Sequence, residues 1–214
     1  MLIAFSGCDG AGKSTQVKAV QQILQERGLQ VKVLDKWEIR DHEKFRECRM
    51  INIELEDLKN AVGEMEGHSR AMFLFWAIGI TMTRDDLDDP NVVYLLDGYW
   101  MKHAAVEIEY GCSPEWIELT AQQFRPADLT FYFDVLPEVA LERKDDFNVY
   151  ECGRDPECRP ESFIEHQTKL RKRMLQWSER FGWEVVNSMQ EQQAITELVM
   201  KQVDQLLEQN KGQS

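Results

Sequence analysis

Short apolar runs rich in β-branched and aromatic residues alternate along the chain with longer stretches whose apolar positions recur every three or four residues. The runs LIAFSG (2–7), VKVLDK (31–36), VVYLLD (92–97), LTFYFDV (129–135) and WEVVNS (183–188) predict five strands. Helical spacing predicts helices over 13–26, 70–83, 137–144, 160–181 and 190–208. Each interval between strands is long enough for a crossover helix, which parallel pairing requires. The fold class expected is α/β, a three-layer α/β/α arrangement around a five-stranded parallel sheet. One segment breaks the rhythm. Residues 145–160, DDFNVYECGRDPECRP, have mixed charge, a glycine, two prolines and no apolar period, which predicts an exposed loop of functional length.

A chain of 214 residues, 43% hydrophobic and 29% charged, suits a single soluble globular domain over 1–214. Its formal charge of -13 makes it a poor partner for phosphate backbones, so nucleic acid is not expected. The acidic run DDLDD (85–89) reads as a solvated loop between a helix and a strand. Cysteines 8, 48, 112, 152 and 158 form no CxxC pair, and their odd number argues against a full disulfide framework, which fits a reducing cytoplasm. Residues 112, 152 and 158 allow a zinc site on paper, in a spacing that is not a standard one. The first five residues read as a strand leading into a glycine loop, with no basic region or cleavage site, so no secretory leader is expected. The apolar run 71–82 is too short to span a bilayer and reads as a buried helix.

The candidate chemistry lies at the front. Gly7-Cys8-Asp9-Gly10-Ala11-Gly12-Lys13-Ser14 matches G-x-x-x-x-G-K-[ST] between a predicted strand and a predicted helix. Gly7, Gly10 and Gly12 let backbone N–H groups approach phosphate oxygens, and the helix start aims its dipole at the same place. Lys13 offers a point charge to the β- and γ-phosphates of ATP, and Ser14 a hydroxyl to Mg²⁺. Asp97, at the end of a hydrophobic strand, is placed for a metal-bound water or for orienting the attacking group; its alternative role is to cap the next helix.

GCDGAGKSTQ (7–16), Phe73-Leu74-Phe75 on a helix, Asp97 after the third strand and PADLTFYFDVLPEVALER (126–143) together resemble the thymidylate kinase family over nearly the whole chain. The resemblance implies an ATP- and Mg²⁺-dependent phosphotransferase of the P-loop kinase fold, with a mobile lid at about 145–160 and, as is common in that family, a homodimer. Ala11 and Thr15 would join the glycines in the nucleotide cradle. Asp9 would face the acceptor's sugar hydroxyl, Phe75 would stack on its base, and Arg143 with Arg154 would reach the ATP phosphates as the lid closes.

The departures fall on the acceptor side. Asp-Arg-Tyr of the family is Asp97-Gly98-Tyr99 here, and glycine cannot replace a guanidinium fork. The helical Arg that reads thymine is replaced by Gly79, and the segment after the second strand is Lys36-Trp37-Glu38-Ile39-Arg40. Trp37, Phe75, Trp76, Tyr99 and Trp100 are candidates for stacking on a planar ring. Lys36, Arg40, Arg70 and Lys102 are candidates to hold an acceptor phosphate. Three readings stay open: a nucleoside monophosphate kinase with altered base preference; a kinase of a neutral acceptor, with Glu38 or Asp97 as base; and an ATP-bound switch. A kinase of nucleic-acid ends is disfavoured by the charge.

Overall fold

The computed structural model describes residues 1–211 apart from 46, 47, 49, 50, 84, 145 and 146. Strands β1 (Leu2–Gly7), β2 (Gln30–Leu34), β3 (Val92–Asp97), β4 (Leu129–Asp134) and β5 (Glu184–Asn187) form one sheet in the order β2-β3-β1-β4-β5. Every neighbouring pair is parallel, and Phe5 near the end of β1 stands opposite both Asp97 and Phe131. The helices are α1 (Lys13–Glu26), α2 (Leu55–Glu64), α3 (His68–Met82), α4 (Trp100–Glu109), α5 (Pro114–Ala121), α6 (Pro137–Glu142), α7 (Pro160–Phe181) and α8 (Gln192–Lys211).

Successive strand residues point to opposite faces. Leu2, Ala4, Tyr94, Leu96 and Tyr132 join side chains of α3, α4 and α7 in one core, whereas Ile3, Phe5, Leu95, Phe131 and Phe133 join α1 and α8 in another. Both faces of the central strands are therefore covered, which is why β1, β3 and β4 read as continuous apolar runs rather than as alternation. This is the three-layer α/β arrangement expected.

Two of the helices that the periodicity missed, α4 and α5, have physical reasons. In α4, seven residues from Met101 to Ile108 are buried, His103 and Glu107 among them, so no polar stripe marks it. Helix α5 is short, although Ser113 caps it and Pro114 opens it. Helix α6 stops at Glu142, so Arg143 and Lys144 stand beyond it rather than within it.

The expectation of a wholly exposed loop at 145–160 is corrected; its first two residues lie outside those described. Val149–Cys152 form a 3-10 turn closed by a capping box between Asn148 and Glu151. Glu151 and Cys152 are buried. Tyr110 donates its hydroxyl to the Tyr150 carbonyl, and Gln167 of α7 donates to the Glu151 carbonyl at 2.9 Å. A disulfide joins Cys152 to Cys158, while Cys8, Cys48 and Cys112 are free thiols. The odd cysteine number therefore concealed one pair. That pair also removes two of the three cysteines considered for zinc, and no metal-binding group of three or more His, Cys, Asp or Glu occurs among the described residues. Among those residues, no helix is long and apolar enough to cross a membrane.

Candidate active site

Between β1 and α1 the chain makes the turn that the glycine motif requires. Gly10 has φ 80°, and a Cβ there would stand 3.2 Å from the Ala140 carbonyl and 3.4 Å from Lys144 Cγ. Only glycine fits both that conformation and that approach beneath the end of α6. Helix α1 begins at Lys13 with Gly12 at its N-cap, so its first N–H groups open onto the turn. Lys13 Nζ donates to the Cys8 carbonyl at 2.7 Å.

Two hollows flank this loop. One, of about 400 Å³, is lined by Gly7, Asp9, Lys13, Ser14, Trp37, Asp97, Tyr99 and Lys102 from among the residues expected at the site. The other, of about 550 Å³, is lined by Gly10, Ala11, Gly12, Thr15 and Arg143, together with Ser188 and Gln192. Sheet topology explains the gathering: β1, β3 and β4 end side by side, and the loops that leave their carboxyl ends share one crevice. Asp97 does not cap α4, whose N-cap position is Tyr99.

Other expected residues lie elsewhere. Phe75 is buried in the core, edge-on to Phe124 at 5.7 Å, and its neighbours Arg70 and Leu74 line the first hollow instead. Arg154 lines neither hollow: its Nη2 donates to the Met65 carbonyl at 3.3 Å and its guanidinium covers the Tyr110 ring at 4.5 Å. Trp76 packs with Phe73, and Trp100 with Trp177, Trp183 and Phe181. Of the four basic candidates, Lys36, Arg70 and Lys102 line the first hollow; Arg40 donates to the Ile53 carbonyl at 3.1 Å away from it. Glu38 pairs with Lys44 outside the hollow. Gly98 has φ 85°, a backbone that L side chains rarely adopt, so an arginine placed here would be strained.

Six basic and four acidic side chains line the first hollow, which reverses locally the acidic balance of the whole chain. Lys102 of α4 forms an ion pair with Asp9. Burial pushes the Asp9 carboxyl up, but the Lys102 charge, a hydrogen bond with Glu151 and the Lys13 charge outweigh it and hold it well below the usual carboxylate range. Burial, a hydrogen bond with Asp9 and the Asp9 charge push Glu151 up to about 7, against the charge of Lys102 and the hydrogen bond from Lys144. Lys36 follows Asp35, whose carboxylate accepts from the Trp37 N–H at 3.0 Å and so sets the turn. Burial lowers Lys36 to about 8, with Lys102 and Lys13 acting in the same direction and Asp35 and Asp9 opposing. Its ammonium lies 4.8 Å from the Trp37 ring, and among the described residues it makes no ion pair. His103 is held neutral to well below its usual pKa by burial and by Lys36, Lys102 and Arg70.

Lys144, His103, Asn148, Tyr150 and Glu151 also line this hollow and were not singled out from the sequence. The spacing of Asn148 and Glu151 carried a capping-box signal inside the presumed loop. His103 carried none, because its role depends on which way α4 faces.

The donor set suits Mg²⁺: the Ser14 hydroxyl and the Asp97 carboxylate are hard oxygen ligands opening onto one hollow, and a metal there would add positive charge beside the phosphates.

No family model matches the chain. Thymidylate kinase of Chlorobium limicola is 33% identical over 152 residues, 67% of this chain and 65% of that relative. Thymidylate kinase of Chlorobaculum tepidum is 35% identical over 152 residues, 67% and 66% of the two chains. In both, this chain spans just under two thirds of the relative's length. The probable thymidylate kinase of Sulfurisphaera tokodaii is 25% identical over 203 residues, 91% of each chain. Strand order, the loop between β1 and α1 and these relatives agree: the chain has the sheet arrangement of P-loop kinases and is distantly similar to thymidylate kinases over most of its length.

Proposed function

We propose that the protein transfers the γ-phosphoryl group of ATP to a nucleoside monophosphate or a related phosphate-bearing acceptor other than thymidylate. The observation that carries this reading is the cationic wall of the first hollow, where Lys36, Arg70 and Lys102 stand with Lys13 around the glycine loop. ATP takes the second hollow, with Arg143 beside its phosphates. The acceptor takes the first, its phosphate toward Lys36 and its ring toward Trp37. A neutral acceptor would leave Lys36, which makes no ion pair among the described residues, without a partner charge. Ser14 and Asp97 hold Mg²⁺, which offsets charge on the transferring group, and the segment around Tyr150 and Glu151 limits access of water to it.

The test is ADP release from Mg·ATP against dTMP, the other monophosphates and the matching nucleosides, with mass spectrometry of the product. Transfer to a monophosphate, abolished in Lys13→Ala at unchanged fold, is the expected result. Turnover on nucleosides alone would overturn the charge argument, and no transfer to any acceptor at tight ATP binding would favour a switch.

A further inference from the structure

We propose that Lys144, just past α6, is a catalytic residue that contacts the transferring phosphoryl group and is held ready for it by Glu151. This rests on the phosphotransfer reading above. The stem of Lys144 lies on the glycine loop, its Cγ 3.4 Å from where a Gly10 Cβ would stand. Its Nζ donates to Glu151 Oε2 at 2.8 Å. An ammonium has three donors, so two remain for phosphate oxygens.

Arg143 and Lys144 are consecutive, yet they serve opposite sides of the loop. Arg143 lines the hollow of Gly12 and Thr15 and donates to the Ser188 carbonyl at 3.0 Å, whereas Lys144 lines the hollow of Lys13 and Asp97. The residues between which phosphate must pass are thus bracketed from the end of one helix. Among the other cations of the wall, Lys102 is paired with Asp9, Arg70 with Glu107 and Lys59 with Glu56, while Lys36 stands beside Trp37. Arg154, which the family resemblance brings to the ATP phosphates on lid closure, here donates to the Met65 carbonyl away from the loop.

In the transfer, a bond forms from an acceptor oxygen to the γ-phosphorus as the bond from that phosphorus to the β–γ bridging oxygen breaks. ADP leaves with the electron pair. A phosphate-monoester dianion attacks through an unprotonated oxygen, so no proton has to be removed. Charge growing on the departing bridging oxygen and spread over the γ-oxygens is what Lys144 offsets, a contact already present in bound ATP and absent in ADP. Glu151 meanwhile keeps the ammonium from folding away into solvent.

The experiment compares the full chain with Lys144→Ala, Lys144→Arg and the double variant Lys144→Ala/Glu151→Gln, measuring Mg·ATP and Mg·ADP affinity by calorimetry and, with any working acceptor, kcat and KM. In Lys144→Ala the preference for ATP over ADP should fall about tenfold and kcat about 100-fold, with partial recovery in Lys144→Arg. The double variant should regain the unfolding midpoint while staying deficient, because it leaves no buried carboxylate unpaired. An ATP preference within about twofold of the unaltered chain, or its recovery in the double variant, overturns the proposal. Failure of the unaltered chain to use any acceptor would sink the phosphotransfer reading, and the affinity ratio would still decide the role of Lys144.

Discussion

Arg70 of α3 and Glu107 of α4 meet at 2.8 Å with side chains 2% and 1% exposed, and the Arg70 guanidinium also lies 4.4 Å from the centre of the Tyr150 ring. The pair joins two helices and the turn at Val149–Cys152 behind the first hollow. Its contact is an attraction of charges rather than a well-aligned hydrogen bond, since Arg70 Nη1 and both Glu107 oxygens find no hydrogen-bond partner among the described residues. Such a pair contributes little against apolar replacements, but breaking it from one side leaves an uncompensated buried charge.

Glu107→Gln should therefore lower stability by about 3–5 kcal/mol, read as a fall in the urea midpoint at unchanged slope. Arg70→Met with Glu107→Met should come close to the unaltered chain in stability and lose affinity for a phosphate-bearing acceptor. Equal stability of Glu107→Gln and the unaltered chain would show that Arg70 is compensated by its tyrosine rings alone.

Lys36 gives the site a pH limit. Its ammonium is lost near pH 8 because burial disfavours the charge. The cationic form persists below that value and disappears above it, so kcat/KM for the acceptor should fall about tenfold per pH unit on the alkaline side. Lys36→Met should lower kcat/KM at neutral pH and flatten this limb. A limb unchanged in that variant would assign the titration to another group.

The Cys152–Cys158 disulfide closes a loop of six residues' separation beside Glu151. Chain entropy for so short a loop makes the bond worth roughly 2 kcal/mol. Replacing both cysteines by serine should lower the urea midpoint accordingly and raise KM for the acceptor, because the turn carrying Tyr150 and Glu151 loses its brace. A KM within about twofold of the original would mean that the capping box and the Gln167 bond suffice.

What the sequence determined by itself is the glycine loop and the sheet. A glycine loop works through backbone conformation and local order, and those are written in consecutive residues: Gly7 to Ser14 between a strand and a helix admit few other uses. Central strands buried on both faces announce themselves as apolar runs for the same local reason. The rest of the first hollow was decided by tertiary structure. Phe75 and Leu74 are adjacent on α3, and a turn of about 100° per residue separates a core position from a cleft position. Arg154 and Lys144 are both cations near the same irregular stretch, and only the anchoring of 148–159 on α4 and α7 removes the first from the glycine loop and leaves the second upon it. Ion pairs such as Lys102 with Asp9, and Arg70 with Glu107, join residues far apart in the chain. Their energies depend on burial and on separation in space, quantities that spacing along a sequence does not contain.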